Sequence, residues 1–110
     1  MIGWDHDDAT IQAEIMVAAE LCGNNQGLVK MYDPKMMQPS KDSGKPYWIY
    51  ETNNSAVLDG NQSPGMLAAV MGADKAIELC SNNGNNTISI VCTNNTSTSS
   101  GQLAFYVERM

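Results

Sequence analysis

A run of β-branched residues near the end of the chain constrains the fold more than any other feature. Residues 87–92 read Thr-Ile-Ser-Ile-Val-Cys and lie between two clusters of Asn, Ser and Thr. Such runs are typical of strands that are buried in a sheet. A buried strand needs partners, and a chain of 110 residues can build one modest core around them. The sequence therefore predicts a sheet that is covered by helices.

The first helix is predicted from about Asp7 to Cys22. Asp7 or Asp8 is expected to cap its N-terminus, because a carboxylate can accept from the free backbone amides of the first turn. Gly23 is expected to end it in the left-handed conformation. Apolar residues recur on one helical face, and these are Ile11, Ile15, Ala18, Ala19 and Cys22.

Strand formers and turn residues predict a hairpin in the middle of the chain. Residues 47–51 and 55–58 are the two strands, joined by a turn that contains two asparagines. Ser63 is expected to be the N-cap, and Pro64 the first residue, of a helix of about 18 residues. Its apolar stripe is predicted to be Leu67, Val70, Met71, Ile77 and Cys80.

The remaining segments complete the predicted order of elements. Residues 28–32 could form a short helix, and residues 37–46 have the composition of a loop. Residues 101–110 have the composition of the beginning of a helix. The order helix, hairpin, helix, strand, helix indicates an α/β or α+β fold with helices packed on a sheet. No shift in composition marks a second domain.

Charge and cysteine content exclude several classes of function. Twelve acidic residues against six Lys and Arg give a formal net charge of −6, which would repel nucleic acid phosphates. No apolar run approaches the ~20 residues of a membrane span. Three widely spaced cysteines fit neither a disulfide framework nor a zinc site, and they favour a reducing, cytoplasmic location. We therefore expect neither a nucleic acid nor a membrane as a partner.

Two polar segments that precede helices are interpreted mainly as structural. Residues 5–8 collect the only histidine and three carboxylates, but neighbouring residues at a helix start point in different directions, so an acidic cap is favoured over a metal site. Residues 60–65 have the outer spacing of a phosphate loop without its lysine. They are interpreted as a turn, although free amides at the helix start could bind an anion.

The loop of residues 93–100 is the most informative segment by position. It contains only Thr, Asn and Ser and directly follows the predicted buried strand. In sheets covered by helices, ligands tend to bind beyond the carboxyl ends of the strands. The loop is therefore either a ligand-binding segment or a solvated surface loop, and the residues alone leave both open.

Three segments in order along the chain resemble a known family. Residues 13–23 followed by 27–30, residues 56–65 with a helix after them, and residues 88–91 leading into Asn95 and Thr96 are similar to the type 2 malate/L-lactate dehydrogenase family. This family also holds ureidoglycolate, sulfolactate and diketogulonate enzymes. It is unrelated to the Rossmann-fold malate and lactate dehydrogenases. The likeness extends over nearly the whole chain.

The resemblance implies an NAD(P)-dependent oxidoreductase. Its members oxidise small 2-hydroxy acids, or reduce 2-oxo acids, as homodimers with NAD or NADP and without a metal. It implies an α/β fold in which helices pack on a small mixed sheet. It also implies that residues 1–110 form a single domain, an incomplete N-terminal portion of such an enzyme.

The family's motifs also select candidate site residues. The histidine of its S-H-G-x-x-R motif falls on Gln26, which can hydrogen-bond but cannot titrate near neutral pH. The arginine falls on Lys30, which keeps the positive charge for a carboxylate but not the bidentate fork. A second histidine position falls on Thr98. Gln26, Lys30 and Thr98 are thus the candidate catalytic residues, and Asn95 and Thr96 are expected to line the cofactor.

The two replaced histidines leave alternatives to an active enzyme. One is a non-catalytic binding or interaction module of the same ancestry. Another is a fragment of low stability on its own, because the apolar residues Leu103, Phe105 and Val107 of the last helix would lack partners.

Overall fold

The computed structural model describes residues 5–24, 42–84, 87–98 and 100–110. In chain order its elements are α1 (His6–Leu21), β1 (Tyr47–Glu51), β2 (Ser55–Asp59), α2 (Gly65–Asn83), β3 (Ile90–Asn94) and α3 (Leu103–Arg109). The predicted order of helix, hairpin, helix, strand and helix is confirmed, and so is an α/β fold with helices on a small mixed sheet. The predicted short helix at 28–32 and residues 37–41 of the predicted loop at 37–46 lie outside the described residues.

The three strands form one sheet in the order β1-β2-β3. β1 and β2 pair antiparallel as the predicted hairpin, with a bulge between Trp48 and Tyr50. β2 and β3 pair in parallel, with Ser55 opposite Ile90 and Asp59 opposite Asn94. β3 begins three residues later than predicted, after a segment in which the Ser89 hydroxyl donates to the carbonyl of Ala76 in α2 at 2.8 Å.

Helix α2 covers one face of the sheet. Ala56 and Leu58 of β2 are buried beneath it. On β3, the Thr93 and Val91 methyl groups would lie 3.0 and 3.7 Å from a Cβ atom at Gly72, so the helix approaches the strand closely at this glycine. Small residues are therefore required where α2 crosses β3.

Helices α1 and α3 pack against α2 on the side away from the sheet. Five buried residues form this core: Ile15, Met16, Met66, Val70 and Tyr106. The Arg109 guanidinium forms two hydrogen bonds with the Asp74 carboxylate, at 2.6 and 3.0 Å. Leu103 and Val107 are exposed and Phe105 is half-buried, so α3 is anchored by Tyr106 and Arg109.

The predicted buried stripes were partly wrong. In α1, Gln12 is buried and Cys22, which lies beyond the last helical residue, is exposed. In α2, Met71, Ile77 and Cys80 are only half-buried, whereas Ala68, Ala73, Ala76 and Leu79 are buried. α2 contacts the sheet on one side and α1 with α3 on the other, so its buried surface is wider than a single stripe.

Both predicted N-caps are also corrected. Asp5 caps α1 by accepting from the Asp8 amide at 2.9 Å, while Asp8 forms a salt bridge with Lys45 at 2.8 Å. Pro64 stands at the N-cap position of α2, with no capping hydrogen bond from its own side chain. Gly23 has a φ of +81°, which confirms the predicted left-handed end of α1. Within the described ranges, no helix is long and apolar enough to cross a membrane.

Candidate functional site

The parallel pairing of β2 and β3 brings the loops that follow them together at one edge of the sheet. The Gly60 amide donates to the Asn94 carbonyl at 2.8 Å, and the Gln62 amide donates to the Asn95 carbonyl at 2.9 Å. The Ser97 amide donates to the Ser63 carbonyl at 2.9 Å. We call the residues of these two loops, 59–63 and 95–98, the strand-end site.

Gly60 makes this close approach possible. A Cβ atom at this position would lie 2.7 Å from the Thr96 methyl and 2.9 Å from the carbonyl oxygens of Asn94 and Asn95. Two of these neighbours are backbone atoms and cannot move aside without breaking the loop pairing. The Asp-Gly sequence at the end of β2 is therefore a packing requirement of the site.

The Asp59 carboxylate organises the polar side of the strand-end site. It accepts from the Asn61 amide at 2.7 Å, from the Asn95 side-chain amide at 2.8 Å and from the Tyr47 hydroxyl at 3.2 Å. These hydrogen bonds, above all the one from Asn61, hold the pKa of Asp59 below its ordinary value. The same carboxylate raises the pKa of Tyr47.

Asn95, a predicted cofactor-binding residue, lies at the centre of this network. Its side-chain amide donates to the Asp59 carboxylate, and its side-chain carbonyl accepts from the side-chain amide of Gln62. Its φ of +55° is in the left-handed region, as are the φ values of Asn61 and Gln62. Asparagine tolerates this conformation better than most residues, but glutamine is less common there. Both loops thus carry backbone strain that their mutual hydrogen bonds support.

Thr96 and Thr98 lie beside the start of α2. The Thr98 hydroxyl accepts from the Gly65 amide at 3.3 Å, so Thr98 supplies the hydrogen bond that Ser63 was expected to provide. The Thr96 hydroxyl donates to the Thr98 carbonyl at 3.3 Å. Ser63 itself is 1% exposed, and its hydroxyl has no hydrogen-bond partner in the described part of the chain.

The structure therefore brings three of the five predicted site residues together. Asn95, Thr96 and Thr98 share the strand-end site, whereas Gln26 and Lys30 lie outside the described residues. Sequence reasoning did not select Asp59 or Gln62 as site residues. The signal that could have found them is their place after β2, once β2 is recognised as the parallel neighbour of β3.

Lys45 borders the strand-end site, because its backbone carbonyl accepts from the Asn61 side-chain amide at 3.1 Å, but its side chain contacts other residues. Lys45 pairs with Asp5 and Asp8 at the start of α1, and these partners raise its pKa. Burial raises the pKa of Tyr106, in the core, to about 12. Among residues 5–24, 42–84, 87–98 and 100–110, no group of three or more His, Cys, Asp or Glu side chains is placed to hold a metal ion.

Comparison with solved structures finds a similar fold in two dehydrogenases. Sulfolactate dehydrogenase from Methanocaldococcus jannaschii is similar with a TM-score of 0.82 and 23% identity, over 96% of this chain and 30% of that protein. Malate dehydrogenase from Entamoeba histolytica is similar with a TM-score of 0.74 and 26% identity, over 96% of this chain and 29% of that protein. No protein-family model and no curated protein sequence matches the chain.

The chain thus spans about 30% of the length of the dehydrogenases that it resembles. Nearly all of this chain, 96%, takes part in the alignment. The chain therefore shares its fold with about 30% of each of these two dehydrogenases.

Proposed function

We propose that this chain is part of an NAD(P)-dependent oxidoreductase that acts on a small 2-hydroxy acid or on the corresponding 2-oxo acid. The observation that carries the proposal is the alignment of 96% of the chain with two dehydrogenases, one of sulfolactate and one of malate. The strand-end site supports it, because polar side chains at the carboxyl ends of strands are a common place for ligands. A homo-oligomer and a cytoplasmic location are part of the same proposal.

The substrate would be held by groups from two parts of the chain. Lys30 supplies the positive charge that pairs with the carboxylate of the acid. Gln26 hydrogen-bonds the hydroxyl or oxo group of the substrate. Because neither Gln26 nor Thr98 titrates near neutral pH, the two residues position the substrate and do not exchange its proton themselves.

Thr98 has a second proposed role, which follows from its contact with α2. Its hydroxyl oxygen accepts from Gly65, the first residue of the helix, where the partial positive charge of the helix is concentrated. We therefore assign Thr98 a hydrogen-bonding role at the place where the family has a histidine. The helix start fixes the position of its hydroxyl oxygen.

The residues of the strand-end site fit the polar parts of a nicotinamide dinucleotide. Such a cofactor presents a carboxamide, ribose hydroxyls and phosphates, which need hydrogen-bond partners. Thr96 and Asn95 offer a hydroxyl and an amide, and among the described residues the buried Ser63 hydroxyl has no hydrogen-bond partner. A bound cofactor would supply the hydride chemistry at the carbon that carries the substrate hydroxyl or oxo group.

One observation favours a second candidate, a non-catalytic module of the same ancestry. Both family histidine positions carry residues that cannot act as a general acid or base near neutral pH, namely Gln26 and Thr98. Such a module would keep the fold and the polar strand ends without turning over an acid.

Turnover measurements distinguish the two candidates. The complete enzyme to which the chain is proposed to belong is incubated with NADH or NADPH and a panel of 2-oxo acids that includes those derived from malate and sulfolactate, and cofactor oxidation is followed by absorbance. Acid-dependent oxidation that is lost in Lys30→Gln but retained in Lys30→Arg supports the dehydrogenase. Cofactor binding without oxidation of NADH or NADPH supports the non-catalytic module. Absence of both binding and oxidation contradicts the proposed enzyme.

A further inference from the structure

The end of α2 contains the only Asn-Gly pair of the sequence, Asn83-Gly84. The side chain of an asparagine can lose its amide group when the backbone nitrogen of the next residue attacks its carbonyl carbon. Glycine in that next position favours the attack, because it has no Cβ atom to hinder it and its backbone adopts many conformations. Among the asparagines of this chain, Asn83 therefore has the neighbour that suits the reaction best.

The backbone at the end of α2 leaves the attacking nitrogen available. In α1 and α3 the amide of the C-cap residue, Cys22 or Met110, donates to carbonyls of the last helical turn. Gly84 holds the same position after α2, but its φ of +90° turns the chain away from the helix. Within the described ranges, the Gly84 amide donates to no acceptor. Its nitrogen is therefore not held in a helical hydrogen bond that would keep it from Asn83.

The side-chain amide of Asn83 joins the end of α2 to the turn between β1 and β2. Its nitrogen donates to the Leu79 carbonyl, one turn back in the helix, at 2.9 Å. It also donates to the carbonyl of Asn53 in the turn. This nitrogen is the atom that leaves as ammonia, and it acquires positive charge as it takes up a proton and departs. Two carbonyl oxygens beside it stabilise that charge.

The pair Asp59-Gly60 could undergo the same ring closure in principle, but its geometry prevents it. The Gly60 amide donates to the Asn94 carbonyl at 2.8 Å, as part of the pairing between the loops that follow β2 and β3. The Asp59 carboxylate is held by its three hydrogen-bond donors. Attack by the Gly60 nitrogen would require these contacts to break. The two pairs thus differ in the availability of the glycine nitrogen.

From these contacts we propose that Asn83 is a site of spontaneous deamidation, and that the reaction releases the β1–β2 turn from the end of α2. The Gly84 nitrogen bonds to Cγ of Asn83, the bond from Cγ to Nδ2 breaks, and Nδ2 leaves as ammonia with the proton of the Gly84 amide. Water then opens the cyclic imide. Cleavage of the new bond gives aspartate, and cleavage of the original peptide bond gives isoaspartate. The proposal does not depend on the proposed oxidoreductase activity.

Deamidation reverses the hydrogen bonding at this contact. The carboxylate of the product accepts hydrogen bonds but cannot donate them, so its oxygen atoms face the carbonyl oxygens of Asn53 and Leu79 with no proton between them. Its charge also lies at the C-terminus of α2, where the helix dipole is negative. The turn therefore loses its link to α2. The strand-end site lies at the other end of β2 and is expected to keep its structure.

Peptide mapping of the full chain tests the first part of the proposal. The chain is incubated at physiological pH and temperature, deamidation is located by mass spectrometry, and isoaspartate is detected by enzymatic methylation. We expect Asn83 to react before any other asparagine, and Asp59 to form no isoaspartate. Asn83→Gln should abolish the main product, because a longer side chain must close a larger ring. The proposal is overturned if Asn83 stays intact while an unstructured peptide of residues 79–89 deamidates, or if Asp59 reacts as fast as Asn83.

Two aspartate variants test the second part. Asn83→Asp supplies the charge of the product and removes both donated hydrogen bonds, whereas Asn82→Asp adds the same charge one residue earlier. Asn82 is exposed and makes no hydrogen bond to the turn in the described part of the chain. We expect Asn83→Asp to lower the melting temperature by a few degrees and to shift the amide resonances of residues 52–54. Asn82→Asp should have a smaller effect and leave those resonances in place.

The unmodified chain gives the same readout without a substitution. As it ages, the resonances of residues 52–54 should move in step with the loss of the Asn83 amide. Equal effects of Asn83→Asp and Asn82→Asp, or an aged chain in which Asn83 is converted and residues 52–54 do not shift, would show that this side chain does not link the turn to α2.

Discussion

Helix α1 takes its N-cap from Asp5, the residue directly before it, whereas α2 takes the acceptor for its first amide from Thr98, which is 33 residues away. The start of α1 is therefore determined by local sequence. The start of α2 depends on β2 and β3 having paired, because that pairing brings the loop after β3 to the helix. The strand-end site and the N-terminus of α2 should consequently be stabilised together. The N-terminal cap of α1 should contribute to stability separately from the site.

The largest effect is expected where the two loops touch most closely. Gly60→Ala should lower the free energy of unfolding by about 2–3 kcal/mol, because the added methyl group overlaps two backbone oxygens and one methyl group. Gly23→Ala is the matched control at the end of α1. A Cβ atom there meets nothing within 4 Å, so the left-handed φ alone should cost about 1 kcal/mol. Equal losses in urea unfolding would show that the loops are less tightly packed than the structure indicates.

Removal of the distant cap should have the next largest effect. Thr98→Val leaves the buried Gly65 amide without its acceptor and should cost about 1–2 kcal/mol in unfolding free energy. Thr98→Ser keeps the hydroxyl and should stay within about 0.5 kcal/mol of the unmodified chain. If Thr98→Val and Thr98→Ser unfold at the same denaturant concentration, Thr98 is not the acceptor on which α2 depends.

The pH dependence of stability isolates the contribution of Asp59. Its pKa in the folded chain lies below the ordinary value of 3.8, so its stabilising effect is complete above that value and is lost as the pH falls through the folded-state pKa. Asp59→Asn should lower the melting temperature at pH 7 and have a progressively smaller effect toward pH 2. Tyr47→Phe removes one of the three hydrogen-bond donors to the Asp59 carboxylate, so it should also lower the melting temperature at pH 7, but by less. If Asp59→Asn lowers the melting temperature by the same amount at every pH, the negative charge of Asp59 is not the source of its stabilising effect.

The smallest effect is expected at the local cap. Asp5→Ala should lower the melting temperature by a few degrees, because α1 loses the acceptor for the Asp8 amide. Asp5→Asn retains an acceptor and should recover most of the loss. The chemical shifts of residues 62–63 and 95–98 should not change, whereas a small shift is expected at Asn61, which donates to the carbonyl of Lys45, the partner of Asp5. Changes at residues 62–63 or 95–98 would show that the two helix starts are coupled after all.

These differences also explain how far the fold could be predicted from sequence. The hairpin, both long helices and the β-branched strand were predicted because alternation, helical periodicity and turn residues are local signals. The cap of α2 was assigned to Ser63, since a serine before a proline is the usual local pattern. The structure instead uses Thr98, a contact that no local pattern encodes.

The proximity of residues at the strand ends could also be predicted only in part. The loop after β3 could be selected by its position at a strand end, and Asn95, Thr96 and Thr98 do come together there. Asp59 and Gln62 could not be selected, because their proximity depends on the parallel register of β2 with β3. A register is set by packing between distant segments, here Gly72 of α2 against Val91 and Thr93, and single-sequence patterns do not report it.

The measurement that tests the central claim most directly is a titration of the isotopically labelled chain with NADH and with NADPH, followed by amide chemical shifts. We expect one of the two cofactors to shift the amides of residues 59–63 and 95–98, with saturation, and to leave the far ends of β1 and α2, at Glu51 and Asn83, unchanged. Thr98→Val should weaken this binding and Asp5→Ala should not. Saturable shifts that lie elsewhere, or no shifts with either cofactor, would contradict the assignment of a dehydrogenase-like site to the strand ends.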